Sequence, residues 1–531
     1  MSNQVTEAML ENYFKITLRN LIKNKIFTSI NIFGLAIGLA TCLLIMLYVF
    51  DELSYDKHHQ DADRIYRIAT KTPLGSWAAT SAPIAWGVKN DFPEVEQATR
   101  ILKFPNLEKM LLKIEQNQEQ KQFFETNGYY VDSTFFQIFT YDFKFGNVQS
   151  ALNQPNTLVI SEILSSKLFN TQNPIGKVVK IGLPFGEFNY TVKGVFKNNR
   201  KSHLNAHFFL SMRNSDVGNW VDQQRNWATN NIFHTYVRLQ KEVNVQSFIQ
   251  KLPAFMKRHA EADLKALGVS KSLFLQPISD IYLTSELDNE ISPNGSMTYL
   301  YIFGSIAVFL LLIACINFMN LSTARSEKRA KEVGVRKVMG ALKASLIRQF
   351  LGESLLMSLL ALCLSLLFVK LLLPVFNNLT QKNLDLFQDP QFVGWIVGIT
   401  LLTGLLSGLY PAFYLSAFKP ITVLKGRLIN TFSATIFRKS LVVFQFSISI
   451  VLILGAMVIG QQLSFIQNQH LGFNKNQQIV LPLQSTQAAN NYTVLKSEII
   501  KNPNVTSAAS GSTYPGIELV EDLLFMQKEN L

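Results

Sequence analysis

The chain has 531 residues, of which 48% are hydrophobic and 16% charged, and its 50 Lys and Arg against 37 Asp and Glu give a formal charge of +13. Apolar runs with so few charges between them exclude an ordinary soluble globule and indicate a membrane protein with a soluble part. The basic residues gather beside the apolar runs rather than along one polar groove, so membrane topology, not nucleic acid, accounts for the positive charge.

Residues 1–26 come first. Within them, 12–24 sets Lys15, Arg19 and Lys23 at four-residue spacing against Phe14, Leu18, Leu21 and Ile22. That pattern predicts an amphipathic cytoplasmic helix at the membrane surface, although a basic flank that only sets orientation carries the same charges. The first span, 27–50, is too long for a signal peptide and lacks a convincing cleavage site, so it is a retained anchor with its N-terminus inside. Gly34 and Gly38 stand in G-x-x-x-G spacing, which lets another helix approach.

Acidic Asp51, Glu52 and Asp56 mark the outer exit, and hydropathy stays low until about Tyr299. Residues 51–298 therefore form a large outer domain. Strands are expected at 157–160, 177–181, 190–196, 232–239 and 273–277, with helices at 161–169 and 245–267, a mixture that reads as α+β. His203 and His207 stand four apart, as two zinc ligands on one helical face would, but no third ligand or adjacent catalytic Glu accompanies them. His58 and His59 are adjacent, point apart and read as surface residues.

A second span at 299–323 leads into 324–348, an inner loop whose Arg325, Lys328, Arg329, Lys331, Arg336, Lys337, Lys343 and Arg348 place it in the cytoplasm. Spans follow at 349–376 and 392–414, separated by the short outer loop 377–391. A basic linker at 415–440 and a fifth span at 441–461 come next, with 462–531 outside. The fold class is thus a polytopic α-helical membrane protein with a large extracytoplasmic α+β domain inserted between the first and second spans. Cys42, Cys315 and Cys363 each lie inside an apolar run, where neither a disulfide framework nor thiol chemistry is expected.

The inner stretch 326–341 is the densest run of charge. Val335, Val338, Met339, Leu342 and Leu346 recur at three- and four-residue spacing, predicting one apolar stripe beside a basic face. Gly334 and Gly340 weaken helix continuity by roughly 1 kcal/mol each, and Glu332 is placed either to pair with Arg336 at i+4 or to bind a basic residue of a partner. Asn317 and Asn320, near the inner end of the second span, suit amide bonds between helices, a packing role before a substrate one. Glu353 opens the third span close enough to the interface to snorkel. Pro411 is expected to break or kink the end of the fourth span.

No G-x-x-x-x-G-K-[ST] phosphate loop and no G-x-S-x-G elbow occurs in the 531 residues. The chain is expected to be no enzyme and to carry no cofactor or metal of its own.

In order and spacing, several blocks resemble the MacB/FtsX family of ABC transporter permeases, in its long two-repeat form. They are Leu18-Arg19-Asn20-Leu21, Asn31-Ile32-Phe33-Gly34-Leu35-Ala36-Ile37-Gly38, Asp51-Glu52-Leu53-Ser54-Tyr55-Asp56 and Arg64-Ile65-Tyr66-Arg67, then Pro174-Ile175-Gly176-Lys177, Val192-Lys193-Gly194-Val195-Phe196 and Ser202-His203-Leu204. The most specific block is Asn317-Phe318-Met319-Asn320-Leu321 running into Lys331-Glu332-Val333-Gly334-Val335-Arg336-Lys337-Val338-Met339-Gly340-Ala341, closed by Tyr410-Pro411-Ala412 and Lys419-Pro420.

The resemblance implies an inner-membrane permease subunit with a periplasmic domain, working as a mechanical transmitter. A cytoplasmic ABC ATPase on another chain would drive it, with Glu332, Gly334, Arg336, Lys337 and Gly340 as the coupling residues. Family cargoes are antibiotics, peptides and lipoproteins, and family partners include an adaptor or outer-membrane channel, membrane lipid and a dimeric or pseudo-dimeric assembly. The alternative is a membrane sensor or an FtsX-like regulator of cell-wall hydrolases, without transport. An echo of Lys89-Asn90-Asp91-Phe92-Pro93-Glu94-Val95 in Lys501-Asn502-Pro503-Asn504-Val505 suggests an internal duplication whose second copy stops early. On that reading the chain is truncated, and a full form would add three spans.

Overall fold

The computed structural model describes residues 25–511, apart from 105–106, 108, 117–118, 171–172, 184, 199–200, 214–215, 325, 388, 419–431, 471, 473–476 and 484–485. Helix 12–24 and half of the linker 415–440 lie outside the described residues. Two compact units emerge, one of residues 1–53 and 297–476 and the other of residues 54–296 and 477–531.

The first unit is helical. Among the described residues five helices are long and apolar enough to cross a membrane: α1 (Lys25–Glu52), α2 (Met297–Ala324), α4 (Lys343–Thr380), α5 (Pro390–Ser416) and α6 (Phe432–Asn468). A charged helix, α3 (Ser326–Val338), stands between α2 and α4. At 38 residues α4 is about 57 Å long, nearly twice the hydrocarbon thickness, so its ends run well beyond the expected 349–376. The fifth span likewise extends beyond 441–461 at both ends.

Small residues set the packing. A Cβ on Gly38 would lie 2.5 Å from the Ala314 Cβ, and one on Gly34 would lie 3.4 Å from the Asn317 amide, so both glycines face α2. Gly404 and Gly408 meet Ser358 and Ser354 in the same way, drawing α5 onto α4. Phe27, Leu35, Leu39, Ala314, Phe318, Met357 and Ala361 fill the core between α1, α2 and α4.

The second unit is built on one sheet of β1 (Ile65–Thr72), β2 (Gly75–Trp77), β3 (Val95–Leu102), β4 (Lys109–Gln116), β5 (Glu119–Thr126), β6 (Gly128–Val131), β7 (Phe143–Gly146), β8 (Thr157–Ser161), β9 (Val178–Leu183), β10 (Gly186–Phe196), β11 (Phe208–Ser211), β12 (Phe233–Leu239) and β13 (Ser272–Pro277). Its order is β13-β1-β12-β3-β6-β11-β8-β10-β9-β4-β5, with β2 on β1 and β7 on β10. Only β8–β10 and β6–β11 pair in parallel among these strands. Alternation sends Tyr130, Phe208 and Leu210 into one core and Tyr129, Val131 and Phe209 into another, so the middle of the sheet is buried on both faces.

The helix expected over 245–267 is two helices, Val245–Ile249 and Leu252–Leu267, the second with a proline in its first turn, where the missing N–H costs nothing. His59 is not a surface residue. It is 3% exposed, its ring accepts the Thr140 N–H at 3.1 Å, and its centroid lies 4.0 Å from that of His58. His203 and His207 do not share a helical face, because the chain turns at 203–205 and enters β11 directly after His207.

Candidate coupling site

Helix α3 is a docked element rather than a free loop. Ala330, Val333 and Gly334 are buried on one face, and Val333 joins Leu346 and Phe350 of α4 with Ala412 and Leu415 of α5. Glycine at 334 leaves the helix unbroken and lets this face lie close to its neighbours. Gly340 ends the helix. At φ +94° it occupies the left-handed region, with Gly340 N–H to the Lys337 carbonyl (3.1 Å) and Ala341 N–H to the Arg336 carbonyl (3.0 Å), the two bonds of a Schellman cap.

Polar contacts fix the same helix from three sides. Arg329 grips Glu353 of α4 with two parallel bonds, 2.9 and 2.5 Å, and its guanidinium lies 5.8 Å from the Phe350 ring. Glu353 is 5% exposed, so the expectation that it snorkels alone is corrected: a cation 24 residues earlier neutralises it in place. Arg336 bonds both Gln349 of α4 (2.7 Å) and, one turn back, Glu332 (2.5 Å). Lys337 donates to the Ser416 and Phe418 carbonyls at 2.6 and 2.9 Å, at the negative end of α5. Burial, with Lys343 adding to it, holds the Lys337 ammonium below the usual lysine value.

Exposed apolar side chains lie between exposed charges. Val335 (48% exposed), Val338 (65%), Met339 (82%) and Leu342 (75%) form a strip whose borders hold Lys331, Lys343 and the Glu332–Arg336 pair. The single stripe expected through Leu346 is therefore split: Leu346 is 2% exposed and belongs to the core, because the Gly340 turn rotates α4 away from the face of α3. Four large apolar side chains in eight residues are thus left uncovered along the end of α3 and the turn that follows it.

The intramembrane candidates occupy different places. Asn317 packs beside Gly34, whereas the buried Asn320 Oδ1 has no partner among the described residues, nor does the amide of Asn31. Pro411 does not end the fourth span: α5 continues through it to Ser416, and the proline is buried against its neighbours.

At the opposite end of the bundle Lys382 pairs with Asp51 at 2.7 Å and with Glu52, and stands 5.2 Å from the Tyr48 ring. Sequence reasoning missed Arg329, Gln349 and Lys382, since each meets its partner across helices at separations of 13 to 331 residues, beyond any local period.

Comparison with known proteins agrees with this architecture. The family model described as MacB-like periplasmic core domain matches residues 28–255, and that described as FtsX-like permease C-terminal matches 304–420. A macrolide export ATP-binding/permease protein MacB of Bdellovibrio bacteriovorus is 25% identical over 285 residues, 51% of this chain and 39% of the relative. Its counterpart in Pasteurella multocida is 24% identical over 301 residues, 56% and 42% of the two chains. The chain thus spans about two fifths of the length of these relatives. The crystal structure of the periplasmic region of MacB from Actinobacillus actinomycetemcomitans aligns with 41% of this chain and 90% of its own, at 14% identity and a TM-score of 0.29.

Proposed function

The chain belongs to the MacB/FtsX family of ABC transporter permeases, and from that premise we propose that α3 is where a cytoplasmic ABC ATPase docks and drives the periplasmic domain. ATP is hydrolysed on that partner, not on this chain. Rocking of the ATPase displaces α3, and because Arg329, Arg336 and Lys337 join α3 to α4 and α5, the displacement becomes movement of the spans rather than of a loop. The long helices then carry it to the periplasmic side, where it performs export of an antibiotic, peptide or lipoprotein-type cargo.

The observation that supports this reading is the exposed strip Val335, Val338, Met339 and Leu342, which runs along the end of α3 and the turn after it, beside contacts that fix α3 in the bundle. A strip of that kind contributes to binding through burial, roughly 1.5–3 kcal/mol for each side chain fully covered. Co-purification of the ATPase with Val338→Asp/Met339→Asp tests it. Both positions are exposed, so the permease should fold and insert as before while the complex and its ATPase stimulation are lost; an unchanged complex with an unchanged ATPase rate overturns the assignment.

A further inference from the structure

The turn Ser202-His203-Leu204 lies between two chain segments that lead to spans. One, 54–62, follows α1, and the other, 285–296, precedes α2. His203 is 2% exposed and contacts both. Its backbone N–H points at the Asp56 carboxylate (3.1 and 3.2 Å) and its ring Nδ1 lies 2.9 Å from the Asp56 Oδ2, while the Asp56 N–H donates to the Lys201 carbonyl at 2.9 Å. From the other segment, Ser292 Oγ donates to the His203 carbonyl.

The same imidazole continues into the sheet. Nε2 lies 2.7 Å from the Tyr236 hydroxyl of β12. Tyr236 stands directly opposite Arg67 of β1, and Arg67 stands opposite Gln276 of β13, so one face of three adjacent strands carries all three side chains. Arg67 is fully buried and clamps Glu290 with both guanidinium nitrogens, at 2.5 and 2.8 Å, while also bonding Gln276 and Ser285. Asp56, His203 and Tyr236 are joined by hydrogen bonds, as are Arg67 and Glu290, and the two sets meet where Tyr236 and Arg67 stand opposite each other on adjacent strands, so the cluster runs from the first segment to the second.

The partners assign its directions: Nδ1–H donates to Asp56, and the Tyr236 hydroxyl donates to Nε2. Burial alone would raise the Asp56 carboxyl, but His203 and His59 hold it well below the usual carboxylate range. Asp56 also sits at φ +57°, a left-handed conformation that Asp tolerates better than most residues and that aims its carboxylate back at the turn.

We propose that His203 is the keystone of a buried latch that ties the segments following the first span and preceding the second span into the sheet as one body. The physical basis is that opening strands charge: lifting the first segment takes the buried Asp56 carboxylate from His203, and lifting the second takes Glu290 from the buried Arg67. Because His203 bonds both segments, through Asp56 and Ser292, unseating its ring loosens both together. Stacked Tyr55 and Tyr282 rings, 3.6 Å apart and nearly parallel, add a second tie between the same regions. That the latch bears load when the spans move rests on the transmission reading above; that it exists and opens as a unit does not.

The test is hydrogen–deuterium exchange of the full chain in lipid nanodiscs, without any ATPase, comparing wild type with His203→Leu and Tyr236→Phe. The latch predicts that His203→Leu speeds exchange by tenfold or more in 54–59, 201–205 and 285–292 together, while β8 and β11 keep wild-type protection. Tyr236→Phe removes one oxygen and keeps the ring, and it should produce the same three-segment pattern at smaller amplitude. Faster exchange confined to 201–205 overturns the proposal, as does loss of protection throughout the sheet in both variants. Because no ATPase is present, a failed ATPase pull-down leaves this result standing, and the reverse also holds.

Discussion

Removing one partner of the Arg329–Glu353 pair tests how firmly α3 is held. The two side chains are 19% and 7% exposed and share two bonds, so each charge depends on the other for its burial. Breaking such a pair from one side costs about 3–5 kcal/mol, because the remaining charge is stranded; replacing both partners by apolar residues of similar volume is nearly neutral. Arg329 keeps a fifth of its surface in solvent, which puts the expected cost of Glu353→Met or Arg329→Met near the lower bound, about 3 kcal/mol. The double variant Arg329→Met/Glu353→Met should lie within about 1 kcal/mol of wild type. Unfolding of the nanodisc-held permease, followed by tryptophan fluorescence, gives the four corners of a double-mutant cycle. Additive losses, with the double variant as unstable as the two singles summed, would refute the reasoning.

Three other outcomes are expected. Gly404→Val adds a Cβ 2.5 Å from Ser358 Oγ and 3.1 Å from the Leu355 Cα, so it should separate α4 from α5 at a cost of about 1–3 kcal/mol, whereas Gly398→Ala, where a Cβ meets nothing within 4 Å, should be neutral or slightly stabilising in the same assay. Burial, reinforced by Arg67 and Lys103, lowers the His234 ring from 6.5 to about 3; below pH 6.5 the unfolded chain takes up a proton that the folded domain refuses, so stability falls by roughly 1 kcal/mol per pH unit as pH drops toward 3. Denaturant titrations at pH 7, 6 and 5 should show that slope in wild type and its loss in His234→Phe. Lys337→Met removes the donor to the Ser416 and Phe418 carbonyls, and should leave the ATPase complex formed but its stimulated ATPase rate at least several-fold lower.

The helices and the nature of the outer domain were legible in the sequence because their signals are local. Spans are runs of apolar residues, strands such as β8 and β12 are short buried runs, and the Glu332–Arg336 pair follows from one helical turn. Pairings across elements were not legible. Nothing within twenty residues of Glu353 identifies Arg329, and His203, which sequence spacing associated with His207, takes its partners from positions 56, 236 and 292. The split stripe is the instructive error: helical periodicity was extended across Gly340, whose left-handed φ resets the phase between Met339 and Leu346. Of the break or kink expected at Pro411, the break does not occur, since the helix continues through it to Ser416.

The central claim is that the strip on α3 meets an ATPase. A photo-crosslinking amino acid at position 339, where the side chain is 82% exposed, reports the contact directly in membranes that contain the neighbouring ATPase. The account predicts an adduct between this chain and that ATPase, abolished by Val338→Asp in the same chain. An adduct to lipid alone, or the same ATPase adduct with and without Val338→Asp, would contradict it.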